Sequence, residues 1–312
     1  MPTIERNTAP VPALETPAER RATSFASLAL AALIAVALAG PSYADAVRVE
    51  TTAPTSTVDC TLGDAIATVL GGTDVGACTV VADNLGPDNV WVRLPDAAAY
   101  ALDAPVVVDG ELHIFGEPAA TAPASIVWAA GSAGRFFDVA ALGDLTLSRV
   151  EVSGGDAASG GAVRVAAGGV GTFNGTKFAG NTASFAGGAI SNAGILAITR
   201  STFSANQSTF GGALHNHGDG VAVIINSLFA ANSASSGGAI YQNGSMTSAV
   251  DVKNTTLSAN AGFYGGAYYG KSGDGSIDFS TLRNNTAQAG GAVFMEWGTL
   301  AIGRSAWTQE GT

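Results

Sequence analysis

Charged side chains are scarce in this sequence, and so are most residues on which catalytic chemistry depends. Only 12% of the 312 residues are charged, 7% are aromatic, and there are three histidines and two cysteines. Few charges leave few candidates for acid–base catalysis, and few aromatics argue against a core of bulky rings. The formal net charge of −11 disfavours nucleic acid and anionic bilayers as partners, although it also serves solubility.

Glycine, by contrast, is abundant, with 41 residues. The glycines follow no Gly-X-Y period, which excludes a collagen helix. Apolar residues make up 47% of the chain, which argues against general disorder. The length corresponds to one or two domains with enough material for a core.

Residues 1–44 have the layout of a secretory signal peptide. A polar stretch ends in Arg20-Arg21, an apolar run covers Phe25 to Gly40, and small-x-small cleavage patterns follow at 42–44 or 44–46. The alternative is a membrane span, but 16 residues fall short of the ~20 that a span needs. Phe25 lies too far from the arginine pair for a good twin-arginine signal. We therefore predict Sec export, cleavage of 1–44 and no membrane span afterwards.

The two cysteines, Cys60 and Cys78, lie in a predicted N-terminal cap over residues 45–82. An exported chain meets an oxidising compartment, which favours a disulfide between them. Closing the 18-residue separation would stabilise the fold by about 3 kcal/mol. Two free buried thiols are the alternative. No histidine lies near them, so we predict no metal site there and no cofactor.

Two short motifs recur in phase along the second half of the chain. Gly-Gly-Ala begins at Gly160, Gly187, Gly211, Gly237, Gly265 and Gly290, at spacings of 24 to 28 residues. A Phe/Leu-x-x-Asn motif precedes five of them and ends at Asn181, Asn206, Asn232, Asn260 and Asn285. A period in this range predicts a solenoid.

The segments between the motifs alternate apolar and polar residues, as β-strands do. We therefore predict an all-β fold, a right-handed single-stranded parallel β-helix over 83–312, with regular repeats from about 145. Asn suits the left-handed conformation at a corner, and successive Asn amides could form a hydrogen-bonded ladder. Gly-Gly suits a corner where a Cβ would clash. The Phe or Leu of each motif and the residue after each Gly-Gly-Ala should point inward.

A solenoid needs its ends covered. Residues 61–70, TLGDAIATVL, carry apolar residues at the spacing of an amphipathic helix. We predict that this helix covers the first coil.

The segment CTLGDAI (60–66), with a second cysteine downstream, resembles the CSLREA box found before bacterial parallel β-helices, although Gly63 and Asp64 replace its Arg and Glu. The two repeated motifs resemble those of polymorphic outer membrane proteins in the pectin-lyase-like superfamily. The resemblance covers roughly 56–310 and implies export to the cell envelope, outer membrane or medium. It also implies adhesin-like or autotransporter-passenger functions and no single catalytic site. The alternating strands of an autotransporter barrel are not expected in this chain.

Three charged residues form the weak candidates for catalysis. The repeat alignment places Asp251, Lys253 and Asp278 outward on adjacent coils, with Lys253 directly beneath Asp278. Lyases on such scaffolds need carboxylates for Ca²⁺ and a base, and hydrolases need paired carboxylates. The alternative is a surface ion pair of small energetic consequence.

A row of outward side chains is the main candidate for ligand binding. The position two residues after each Gly-Gly-Ala is occupied by Arg164, Ser191, His215, Tyr241, Tyr269 and Phe294. Exposed rings stacked about 4.8 Å apart would suit sugars or proteins, whereas stacking that only stabilises the sheet is the alternative. His215 and His217 share a strand face, but zinc wants further ligands, so we expect them to face solvent without metal.

These observations predict an exported surface or secreted β-helix protein that acts in adhesion, ligand binding or envelope structure. The expected partners are carbohydrate or a host or extracellular-matrix protein. The alternative is a carbohydrate-active enzyme, a polysaccharide lyase or glycoside hydrolase, on the same scaffold.

Overall fold

A computed structural model of the chain describes residues 45–48, 61–71, 90–94, 98–117 and 122–308. The predicted export signal over 1–44 lies outside the described residues. So do Cys60 and Cys78, and with them the predicted disulfide. Within the described ranges the fold consists of 29 strands, numbered here in chain order, and one helix, α1 (Leu62–Gly71).

Three long parallel sheets run side by side along the solenoid. Sheet A has ten strands: β1 Asp45–Arg48, β2 Val90–Leu94, β5 Glu111–Gly116, β8 Asp144–Ser148, β12 Val170–Asn174, β16 Ile195–Thr199, β19 Val221–Ile225, β22 Ala249–Lys253, β25 Asp274–Asp278 and β28 Thr299–Ile302. Sheet B has nine: β3 Ala99–Leu102, β6 Ala124–Trp128, β9 Val150–Ser153, β13 Lys177–Ala179, β17 Thr202–Ser204, β20 Leu228–Ala230, β23 Thr256–Ser258, β26 Thr281–Arg283 and β29 Ala306–Thr308.

Sheet C has eight strands: β4 Val106–Val108, β7 Phe137–Val139, β11 Val163–Val165, β15 Ile190–Asn192, β18 Leu214–Gly218, β21 Ile240–Gly244, β24 Tyr268–Ser272 and β27 Val293–Met295. A fourth, two-stranded sheet pairs β10 Asp156–Ser159 with β14 Thr182–Ala186. Each turn runs from sheet A to sheet B, through a corner, and on to sheet C. The predicted right-handed parallel β-helix is therefore confirmed.

The interior is a set of stacked apolar columns, one residue per turn in each. The rings of Phe178, Phe203 and Phe229 occupy one column, with centroids 4.9 and 4.5 Å apart, and Leu257 and Leu282 continue it in register. All five are fully buried. This column confirms the predicted inward position of the Phe or Leu in each repeat. The expectation of a core without bulky rings is wrong, because stacking one ring per turn places the few aromatics of the repeats inside the coil.

The repeated asparagines form a buried ladder, as the sequence predicts. The Nδ2 of each of the first four asparagines donates to the Oδ1 of the Asn one turn above, at 2.9 to 3.0 Å. The same Nδ2 donates to a backbone carbonyl of the turn below, for example from Asn206 to Phe178. All five side chains are fully buried, so the ladder satisfies polar groups that would otherwise be costly inside the coil.

The conformational role that we predicted for these asparagines is wrong. The left-handed residue at each corner is the one before the Asn: Gly180, Ala205, Ala231, Ala259 and Asn284, with φ between 53° and 61°. The Asn side chain must point inward to join the ladder, so the preceding residue makes the bend. Three alanines thus adopt the left-handed conformation, which is unfavourable for a residue with a Cβ.

A second polar column at the corner between sheets A and B is not apparent from the motifs. Its hydroxyls accept backbone N–H bonds from the turn below at 3.1 to 3.2 Å. Its members are Ser201, Ser227, Thr255, Ser280 and Ser305. Like the asparagines, four of them follow a residue with positive φ, namely Arg200, Asn226, Asn254 and Phe279.

The paired glycines are required by close backbone approach, as predicted. Gly237 has a φ of 64°, and a Cβ there would lie 2.1 Å from the carbonyl oxygen of Ile240. A Cβ on Gly238 would lie 2.1 Å from the carbonyl oxygen of Gly266 in the next turn. The first glycines of the other pairs, Gly187, Gly211, Gly265 and Gly290, have the same conformation.

Helix α1 packs on the first coils, as the apolar spacing of its sequence predicts. Leu62 and Ala65 are fully buried in the main core, and Ile66 is nearly so. At the N-terminus, the Thr61 hydroxyl accepts a hydrogen bond from the Asp64 backbone N–H, which satisfies one of the free donors of the first turn. No helix among the described residues has the length and apolarity needed to cross a bilayer.

Candidate functional site

The predicted ring ladder exists on the outer side of sheet C. His215, Tyr241, Tyr269 and Phe294 are register partners on four successive strands. Tyr241 and Tyr269 stack with centroids 5.1 Å apart and an interplanar angle of 4°, and Tyr269 and Phe294 stack at 5.3 Å and 7°. The parallel register therefore creates a continuous stack of rings from residues that are about 26 positions apart.

The expectation that this ladder is exposed is wrong for most of its members. Tyr241 is 4% exposed, and Tyr269 and His215 are each 8% exposed. The ring of Phe210 lies 5.1 Å from that of Tyr241, and the ring of Tyr264 lies 5.4 Å from that of Phe294. Phe210 and Tyr264, each of which directly precedes a Gly-Gly pair, thus cover the ladder from outside.

The covering residues alternate in size along the solenoid. Their positions are joined by parallel bridges from turn to turn, and the residues are Ala186, Phe210, Ser236, Tyr264 and Ala289. Each large ring is followed by a small side chain, so one ring covers parts of two turns. This packing makes the ladder an outer apolar cluster, with Tyr264 40% exposed.

The tyrosine hydroxyls of the ladder are poor acids. Burial, with the charge of Glu296, raises the pKa of Tyr241 to about 12. Burial also raises the pKa of Tyr269, whose hydroxyl donates to Glu296 Oε2 at 2.5 Å. Both phenols therefore stay protonated at neutral pH, and neither is placed to act as a base.

The two histidines stack on each other, with ring centroids 4.7 Å apart. His217 Nε2 lies 3.2 Å from the Ser191 hydroxyl, whereas both buried ring nitrogens of His215 lack a hydrogen-bond partner. Burial and the neighbouring His217 lower the pKa of His215 to about 3. The expectation of two solvent-facing histidines is wrong for His215. No group of three metal-ligating side chains occurs in the described part of the chain.

The first two members of the outward row are polar. Arg164 forms an ion pair with Asp138 at 2.7 Å, one turn below. Ser191 is 2% exposed and lies beneath the histidines. The aromatic stack is thus confined to the later turns.

The charged residues proposed as weak catalytic candidates lie on two adjacent strands of sheet A, and the predicted alignment of Lys253 with Asp278 is confirmed. Lys253 and Asp278 are register partners on β22 and β25, and Asp251 is paired with Ser276. The carboxylate of Asp278 forms its ion pair with Arg304 at 3.2 Å, and the Asp251 carboxylate accepts a hydrogen bond from Ser276 at 2.6 Å. The two carboxylates are held by separate partners.

An open groove on the outer corner was not predicted. It has a volume of about 450 Å³, and its lining includes Gln207, Ser233, Ala234, Ser235, Phe263 and Gln288. It crosses four turns, from the turn of Gln207 to that of Gln288, just after the Asn ladder. None of the described residues that line it is ionisable. It forms where the corner residues of two successive turns are small. Neither repeated motif predicts the size of these residues.

Two solvent-facing aromatics lie on this outer corner beside the cover of the ring ladder. Phe263 is 45% exposed and lines the groove. Phe185 is 57% exposed and contacts Phe210 edge-on at 5.4 Å. Phe185 is not among the residues that line the groove. The half-exposed ring of Phe263 beside an uncharged groove is the arrangement on this molecule that best fits a ligand.

No protein-family model and no curated protein matches this chain. The resemblance to CSLREA-box and polymorphic outer membrane proteins therefore stays a prediction from the motifs.

Proposed function

We propose that this chain is an exported β-helix protein of the cell surface, envelope or medium that binds carbohydrate or a matrix protein. The observation that carries the proposal is the uncharged groove on the outer corner, with the half-exposed ring of Phe263 at its side. The parallel β-helix supports it because each corner is fixed by two hydrogen-bonded turns, which gives a pre-organised surface. The export pattern of residues 1–44 supports the location.

The location is tested by expressing residues 1–312 in a bacterium and fractionating the cells. The mature protein should be recovered outside the cytoplasm with its N-terminus at Asp45. Leu33→Arg, in the middle of the apolar run, should retain the precursor in the cytoplasm. Thr8→Arg, in the preceding polar stretch, is the matched control and should be exported. A wild-type chain that stays cytoplasmic and uncleaved would refute the location.

Binding is tested with the exported protein on an array of glycans and extracellular-matrix proteins, beside a cleavage assay on polyuronates. We expect saturable binding to at least one class and no bond cleavage. If the protein cleaves one type of glycosidic bond, and the double variant Asp251→Ala, Asp278→Ala does not, the result would support the alternative, a polysaccharide lyase or glycoside hydrolase. Binding to no glycan and no matrix protein would refute the proposal.

A further inference from the structure

The floor of the groove cannot pair with an added peptide strand. Its backbone N–H groups already donate to carbonyl oxygens of the turn above: Ser208 to Ser233, Ala234 to Ala261, and Gly262 to Thr286, at 2.9 to 3.1 Å. An extended peptide that binds a sheet edge depends on free backbone groups of this kind. Recognition in the groove must therefore come from side chains.

The side chains of the groove supply neutral hydrogen-bonding groups. Within the described residues, the amides of Gln207 and Gln288 and the hydroxyls of Ser233 and Ser235 have no side-chain hydrogen bond to the protein. An amide offers both donors and an acceptor, and a hydroxyl offers either. Such groups can match the alternating donors and acceptors of sugar hydroxyls without any charge.

Charge disfavours the acidic alternatives. The described residues that line the groove include no cation to neutralise a carboxylate or a sulfate, and the chain as a whole carries a formal charge of −11. An anionic polymer would lose hydration without gaining an ion pair. The ring of Phe263 instead offers a flat apolar surface to the C–H face of an uncharged sugar ring.

The dimensions favour a linear ligand. Four turns separated by about 4.8 Å place Gln207 and Gln288 about 14 Å apart along the solenoid axis. The methyl group of Ala234 and the absence of a side chain at Gly262 keep the space between the two glutamines open. A short chain of sugar units lying along the axis would contact both amides and Phe263 together.

We infer that this groove binds an uncharged linear glycan along the helix axis, with a sugar ring stacked on Phe263 and hydroxyls bonded to Gln207 and Gln288. The inference rests on the proposed binding function and names its ligand class and site. It assigns the buried ring ladder to packing.

The test is a titration of the full exported protein with neutral linear pentasaccharides of glucose, mannose, xylose and N-acetylglucosamine, beside oligogalacturonate and heparin fragments. We expect one neutral series to bind. Phe263→Ala should weaken that binding at least tenfold, as should Gln207→Ala combined with Gln288→Ala. Ala234→Trp, which fills the floor, should abolish it. Phe185→Ala removes a comparably exposed ring outside the groove and should leave the affinity unchanged. Circular dichroism checks that every variant is folded.

Each outcome separates this inference from the broader proposal. If a neutral glycan still binds after Phe263→Ala and Ala234→Trp, the groove is not the binding site, whereas the proposed binding function is supported. Binding only of acidic glycans, or only of a matrix protein, would refute the ligand class and likewise keep the function. Binding of none of these would refute both.

Discussion

The side-chain amide of Asn206 donates to Oδ1 of Asn232 at 2.9 Å, and the backbone N–H of Asn206 donates to the same oxygen at 3.0 Å. One carbonyl oxygen thus satisfies two donors of the turn below. The amide of Asn232 in turn donates to Asn260 and to the Phe203 carbonyl. Each Asn therefore joins three turns inside a core that excludes water.

Replacing one member should leave several buried groups unpaired. Asn232→Ala removes the Oδ1 that accepts two hydrogen bonds from Asn206. It also removes the Nδ2 that donates to Oδ1 of Asn260 and to the Phe203 carbonyl oxygen. We expect a loss of about 2–4 kcal/mol in the free energy of unfolding, since each unsatisfied buried group costs about 1–3 kcal/mol. Urea denaturation followed by circular dichroism measures it.

Asn243→Ala is the matched control for the ladder. Asn243 lies on sheet C, is partly exposed, and accepts one long hydrogen bond from Ser272 at 3.3 Å. The expected loss is about 0.5 kcal/mol. Equal losses at Asn232 and Asn243 would contradict the special role of the ladder.

Ala231 offers a stabilising substitution. It is exposed and has a φ of 55°, which costs a residue with a Cβ about 1–2 kcal/mol. Ala231→Gly removes that strain but adds freedom to the unfolded chain, so we expect a net gain of about 0.5–1 kcal/mol. Ala230→Gly, one residue earlier in β20, should instead destabilise, and a gain at both positions would contradict the explanation.

The glycine before each Ala of the Gly-Gly-Ala motif should tolerate no side chain. A Cβ on Gly238 would lie 2.1 Å from the Gly266 carbonyl oxygen, and both belong to backbone that cannot move without separating two turns. Gly238→Ala should therefore lower the free energy of unfolding by at least ~3 kcal/mol. Gly110→Ala, where a Cβ would meet nothing within 4 Å, is the control. A small loss at Gly238 would show that the turns can separate.

The repeat made the interior predictable because the same physical demand recurs in every turn. A corner without room for a Cβ requires Gly, and a buried polar position requires Asn, so both residues mark the period. The register that follows from these marks correctly paired Lys253 with Asp278 and Tyr241 with Tyr269.

The corner surface could not be predicted in the same way. Phe210 and Tyr264 cover the ladder, but the other three positions of the column hold Ser or Ala, so no motif identifies the cover. The groove arises from small residues such as Ala234 and Gly262. They leave an open space only where the corners of successive turns lie side by side. Which of two adjacent corner residues is left-handed was likewise decided by the demand that Asn232 point inward.

The ring ladder should contribute to stability more than to binding. Tyr241 is buried between the rings of His215, Tyr269 and Phe210. Tyr241→Ala should cost about 3–5 kcal/mol, as buried aromatics do, whereas Tyr241→Phe should cost less than about 1 kcal/mol. If Tyr241→Phe abolished ligand binding in a stable protein, the hydroxyl would have a direct role and the packing role would be insufficient.

His215 should make the fold sensitive to acid. Its pKa in the folded chain is lowered to about 3 by burial and by His217, against about 6.5 in an unfolded chain. Between these values the unfolded state binds the additional proton, so stability falls as the pH drops from about 6.5 towards 3, by up to about 1.4 kcal/mol per pH unit. His215→Phe keeps a ring in the stack but removes this titration. Urea denaturation from pH 7.5 to 4 should therefore show that the free energy of unfolding of the variant rises relative to that of the wild type as the pH falls below 6.5. Carboxylates titrate in both proteins, so their contribution cancels when the two free energies of unfolding are subtracted. Parallel pH profiles of the two proteins would mean that His215 gains a partner when it is protonated.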